Sequence, residues 1–158
     1  MIYIGCGALL LGALLLSLGI QRGIRRGVLE AEGFLLVLRR LRSEMSCYLK
    51  TPSEALVGFE CDSLLKIGFL PVGEEGINSA FLRSVRRSHM PKEIKEMLQG
   101  CFSGLGDGYL EDELVRLDGC VARLEELIAR ESTEGLRKGK VLTVVFTAVA
   151  MLVAILTI

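Results

Sequence analysis

The sequence predicts an all-α protein: an antiparallel bundle of about six helices, bounded by N- and C-terminal transmembrane helices. Three observations predict it. The runs Met1–Ile20 and Val141–Ile158 carry no charged side chain. Between them, apolar residues recur at steps of 4 and 3, the spacing of one face of a helix. Nowhere does a useful length alternate with period two, the signature of a half-buried strand. The chain therefore divides into a span over 1–20, a helical bundle over 21–140 and a second span over 141–158.

A length of 158 residues leaves room for one domain of ordinary size. All 19 basic and all 19 acidic residues fall between Gln21 and Lys140, a water-compatible composition. Zero net charge argues against nucleic acid as a partner, because no cationic excess is available to displace counterions from phosphate. The five cysteines are odd in number, scattered and without a C-x-x-C pair. That fits a reducing compartment better than a disulfide framework.

Twenty residues of α-helix span about 30 Å, roughly the hydrocarbon thickness of a bilayer. A signal peptide competes for Met1–Ile20, but its positive residues should precede the apolar core. Here Arg22, Arg25 and Arg26 follow it, and Ser17-Leu18-Gly19 is a poor cleavage site. From Gly27 to Lys50 the pattern turns amphipathic, with Phe34, Leu38, Leu41, Met45 and Tyr48 on one face. Thr51-Pro52 breaks that helix and starts another: Thr51 is the N-cap, Pro52 the first helical residue and Glu54 the third. Glu60–Phe69 reads as helix, Leu70–Gly73 as loop, and about Glu74–Ser88 as helix with Ile77, Phe81 and Val85 inward. Ser88-His89-Met90-Pro91 breaks the chain again. Pro91 then opens a helix bearing Ile94, Met97, Leu98, Cys101 and Leu105. Gly104, Gly106 and Gly108 supply the next turn.

The last arm has the clearest period. Leu110, Leu114, Leu117, Val121, Leu124 and Ile128 form a coiled-coil-like seam of about three heptads, close to the minimum for that pattern. Its expected partner is the Phe34–Tyr48 face, running antiparallel. Each buried seam leucine contributes about 1.5–3 kcal/mol, so Leu117→Asp is expected to unfold the bundle. Topology follows from charge: Arg22, Arg25, Arg26, Arg137, Lys138 and Lys140 all flank the spans on the side of the middle segment. The positive-inside rule then places that segment in the cytoplasm and both chain ends across the membrane.

Chemistry is hard to assemble from this chain. The single histidine, His89, lies in a loop-like stretch and reads as a surface or capping residue. Metalloprotease, serine-hydrolase and phosphate-loop patterns are absent. Gly104–Gly108 resembles a phosphate cradle only superficially, since it follows no strand and contains Asp107. Glu111, Asp112 and Glu113 complement a helix dipole better than they hold a metal. Arg39, Arg40 and Arg42 with Arg83, Arg86 and Arg87 offer a basic face that reads more simply as solvated surface. No catalytic residue, metal or cofactor is expected.

The layout nevertheless resembles a known family, the stage III sporulation protein AB family of endospore-forming Firmicutes. The likeness lies in the apolar N-terminus followed by arginines, in Leu41–Leu56 (LRSEMSCYLKTPSEAL), in Leu105-Gly106, and in the long charged helix running into an apolar end. After Leu105-Gly106 the family tends toward a Ser/Asp start and a later glutamine, where this chain has Gly108, Tyr109 and Glu113. The resemblance implies a cytoplasmic domain like that of type II secretion and type IV pilus inner-membrane platform proteins. It further implies a non-catalytic scaffold in the channel between mother cell and forespore, in the mother-cell membrane around the forespore. There it would couple a secretion-type ATPase to the other channel subunits. Self-association remains open. The alternative is a two-span membrane regulator or adaptor binding another cytoplasmic protein.

Overall fold

The computed structural model describes residues 2–48, 50–73, 75–106 and 108–156. They are helical, with no strand among them: α1 (Ile2–Tyr48), α2 (Pro52–Ala55), α3 (Asp62–Ile67), α4 (Gly76–Val85), α5 (Lys92–Phe102) and α6 (Leu110–Leu156). Two helices of 47 residues thus hold the chain's outer thirds, and four short ones fill the middle. By packing, the chain separates into one compact unit over 26–130 and another over 1–25 with 131–158.

The short helices are shorter than the apolar spacing predicts, and local chemistry explains where they stop. At α2, Thr51 Oγ1 accepts from Glu54 N (3.4 Å) while Glu54 Oε2 accepts from Thr51 N (3.0 Å), a complete capping box with Pro52 in the first turn. The bonds that the Glu54 carboxylate accepts, from Thr51 N foremost and from Thr51 Oγ1 (2.8 Å), hold it below the usual carboxylate range. The helix still ends after one turn, where Phe59 N bonds back to Leu56 O around Gly58.

α3 ends at Gly68, whose φ of 77° suits glycine alone. Gly68 N reaches Leu65 O (3.1 Å) and Phe69 N reaches Leu64 O (3.0 Å), a Schellman closure. That closure turns the Phe69 side chain inward.

Phe69 is one of four phenylalanines at the centre of the 26–130 unit. Phe34 of α1 meets Phe69 at 4.8 Å, Phe81 of α4 at 5.4 Å and Phe102 of α5 at 6.0 Å between ring centroids. The first two contacts are edge-on, the arrangement the ring quadrupole favours. Gly33 makes room for this: a Cβ there would lie 2.7 Å from Ser63 Oγ and 3.0 Å from Leu64 Cγ. Around the rings Leu38, Leu41, Leu64, Ile94, Leu98, Leu117, Leu124 and Leu127 are fully buried.

The two seams hold the expected kinds of position. Phe34, Leu38, Leu41, Met45, Leu117 and Leu124 are buried, whereas Leu110, Leu114, Val121 and Ile128 pack only partly against the core. Within the 26–130 unit α1 and α6 run antiparallel, because Arg39 pairs with Glu125 (2.6 Å) and the later Arg42 with the earlier Asp118. The simple two-arm seam needs amending, however. The centre is aromatic and supplied by α4, α5 and the segment just after α3, so Phe34 faces the short helices and their connections.

In the other unit, a Cβ on Gly135 would lie 2.7 Å from Ile24 Cγ2, so the two helices touch there. Several of its apolar side chains, among them Leu15, Val144 and Met151, are exposed. Among the described residues no helix is long and apolar enough to cross a membrane. The expected spans over 1–20 and 141–158 fall largely on side chains outside the described residues.

Candidate functional site

Two of the carboxylates that the fold buries in the 26–130 unit, Glu30 and Glu113, each tie a turn to a helix. The first joins α1 to the break before α5. Glu30 is 5% exposed, and its carboxylate accepts from Ser88 Oγ (2.8 Å), His89 N (2.8 Å) and His89 Nδ1 (3.1 Å). Ser88 Oγ accepts in turn from Met90 N (3.1 Å), and Lys95 Nζ donates to Ser88 O (2.9 Å). Three residues before Glu30, one turn away, Gly27 allows the strap to lie on the helix: a Cβ there would sit 2.6 Å from His89 O. His89 is therefore a tethering residue, held through its backbone as much as its ring.

The second place is the turn into α6. Gly106, at φ 99°, and Gly108 point their N–H groups at one acceptor, Glu113 Oε1, at 2.6 and 3.1 Å. The glycine turn is the expected connection between two helices, and its N–H groups are taken up by a buried carboxylate of α6. Glu111 and Asp112 remain exposed beside it. Leu105 packs partly against the core, and Gly106 approaches Pro52.

The basic residues sort into two groups. Arg39 and Arg42 are paired across to α6, Arg40 with Glu44 (2.7 Å), and Arg83 with Glu75 and with Gly68 O (3.3 and 3.2 Å). The hydrogen bond from Arg42 holds the Asp118 carboxyl below its ordinary range, and Lys50 does the same, with help from Arg40, for the largely buried Glu44. The suspected basic face is thereby mostly neutralised. Arg22, Arg25, Arg26 and Arg137, in contrast, are exposed and form no ion pair among the described residues. The side chains of Lys138 and Lys140 lie outside the described residues.

No group of three or more His, Cys, Asp or Glu side chains among the described residues is arranged to hold a metal ion. Sequence reasoning missed the Glu30 clamp because a glutamate on an amphipathic helix reads as solvent-facing. Its only signal was the Ser88–Pro91 break, which needs something to hold it. Comparison with known proteins finds no matching family model, no matching curated protein and no matching solved structure.

Proposed function

We propose that this chain is a non-catalytic platform subunit, a helical bundle anchored in the membrane by the outer parts of α1 and α6. The observation that carries the reading is the pair of 47-residue helices, whose outer parts are uncharged in sequence and expose aliphatic side chains such as Leu15 and Val144. In water, a large exposed apolar patch is unfavourable and marks a membrane or protein contact. Six cations flank those runs, with no acidic residue before Glu30 or after Glu134, which supports a cytoplasmic bundle and chain ends on the far side. On the strength of the family resemblance, the assembly is the channel between mother cell and forespore, and the bundle's partner is its secretion-type ATPase.

The test is co-purification of the full-length chain, extracted from membranes, with the cognate sporulation ATPase in the presence and absence of nucleotide. Nucleotide-sensitive binding supports the platform. No binding between two folded proteins refutes the coupling role and favours the regulator reading. Recovery of the chain in the soluble fraction without detergent refutes the anchor.

A further inference from the structure

The Ser88–Pro91 strap fixes the position of cations that the bundle itself does not pair. It lies on the first turns of α1 inside the 26–130 unit. Glu30 holds it at Ser88 Oγ and His89 N (2.8 Å each), and His89 O is pressed close to Gly27. Arg26 precedes that glycine, and Arg86 and Arg87 lead into the strap; all three are exposed. Lys95 Nζ reaches back to the strap at Ser88 O (2.9 Å).

Little negative charge offsets them. Lys92 pairs with Glu96 (3.4 Å), and Glu93 is taken by Arg123 (3.4 Å) and Arg130 of α6. Arg83 is paired with Glu75. Arg26, Arg86, Arg87 and Lys95 form no ion pair among the described residues. Arg87 Nη1 lies instead by Gly68, where a Cβ would be 3.5 Å from it. Glu30, the carboxylate bound to the strap, is buried. Gathered cations of this kind set up a positive surface potential that an external anion relieves.

Exposed aliphatic side chains accompany these cations. Leu82 is 47% exposed one turn before Arg86, whose φ of −64° and ψ of −27° continue the helical path, so the two share a face of α4. On α1, Leu29 is 48% exposed and stands three residues after Arg26, on the same side of the helix. Cations beside exposed aliphatic chains suit a lipid headgroup layer, whereas an acidic protein would be matched by the charge alone. The distance along α1 agrees. Seven residues separate Ile20, the last of the uncharged run, from Gly27, a rise of about 10 Å. The headgroup region extends about 5–8 Å beyond the hydrocarbon on each side, and the Debye length at physiological salt is about 8 Å. A helix leaving the hydrocarbon at Ile20 therefore carries the strap within reach of headgroup phosphate.

We propose that the face formed by Arg26, Arg86, Arg87 and Lys95 docks on anionic phospholipid headgroups, so that the bundle rests on the surface of the membrane as well as hanging from it. The proposal rests on the anchor reading above. Arg86 and Arg87 take lipid phosphate through their guanidinium groups, and Leu82 enters the headgroup layer beside them. Each cation close to an anionic surface strengthens attachment about fivefold. The strap, tied to α1 by Glu30, transmits that attachment to the core of the bundle.

The experiment reconstitutes the full-length chain in phosphatidylcholine discs with and without phosphatidylglycerol and follows amide hydrogen exchange by mass spectrometry. Peptides covering 82–92 should exchange severalfold more slowly in the anionic discs. The difference should vanish at about 1 M salt, where the Debye length is about 3 Å. Arg86→Gln with Arg87→Gln should abolish it and leave the melting temperature unchanged. Arg86→Lys with Arg87→Lys should retain it in large part, because the charge is kept. Arginines that served packing alone would give no dependence on the lipid. Equal exchange of 82–92 in the two kinds of disc overturns the proposal, and so does an anionic-lipid effect that survives Arg86→Gln with Arg87→Gln. Slowing by a soluble acidic polypeptide but not by anionic lipid also overturns it and assigns the face to a protein. The anchor is judged separately. A chain that enters neither kind of disc refutes the anchor and the docking with it, whereas a chain that enters both without a lipid effect refutes the docking alone.

Discussion

Glu30→Ala is the perturbation that tests the packing logic most directly. The carboxylate holds Ser88 Oγ, His89 N and His89 Nδ1, and it is 5% exposed. Hydrogen bonds to a charged group contribute about 1.5–3 kcal/mol each. The ring contact counts for little, because the His89 side chain is 48% exposed and water can replace it. The two remaining donors give an expected loss of about 3–6 kcal/mol. For a bundle of this size, about 100 residues, that is a fall in Tm of roughly 12–25 °C. Glu30→Gln keeps an acceptor oxygen and should lose roughly half as much. Thermal unfolding of the intact chain in detergent, followed by circular dichroism, measures both. Hydrogen exchange should show the α5 amides opening first, since the strap enters that helix. A double-mutant cycle with Ser88→Ala should return a coupling of about 1 kcal/mol or more. Glu30→Ala within about 0.5 kcal/mol of wild type, the range of an ordinary surface change, would refute the clamp.

Phe34→Leu removes the ring that meets three others and should cost about 2–4 kcal/mol, more than an ordinary large-to-large core change; chemical denaturation gives the value. Two glycine-to-alanine changes should have opposite signs. At Gly27 the new methyl meets His89 O at 2.6 Å and forces the strap away, lowering stability, whereas at helical Gly119 nothing lies within 4 Å and alanine should add about 0.5–1 kcal/mol. Stability should fall in acid. Asp118, Glu44 and Glu54 have carboxyls depressed in the folded state. Their contribution is therefore complete above the unfolded values near about 4 and is lost as pH drops through the folded ones. Unfolding midpoints between pH 2 and 6 should show this, and Asp118→Asn should flatten part of the slope.

Much of this protein was legible without coordinates, because its strongest signals are local. A helix follows from apolar residues at steps of 4 and 3, and Phe34, Leu38, Leu41 and Met45 mark the inward face of α1 as plainly as Leu117 and Leu124 mark that of α6. Thr51-Pro52-x-Glu54 specifies its own cap, since donor and acceptor lie within one turn. Helix ends were less legible. α2 stops after four residues and α3 at Gly68, where backbone closure overrides a favourable apolar period.

What the tertiary structure alone decided are the contacts between residues far apart in the chain. Nothing near Glu30 in sequence announces Ser88 and His89, fifty-eight and fifty-nine positions away. Nothing near Arg42 announces Asp118, seventy-six positions away. The same holds for the aromatic centre. Each phenylalanine is an ordinary core residue in its own segment, and only folding sets Phe69, Phe81 and Phe102 around Phe34. The physical reason is that periodicity reports which face of a helix avoids water, while the partner of that face depends on how the helices cross. A side chain's neighbours three and four residues away are given by the pitch of the helix; its neighbours on other helices are given only by the packing.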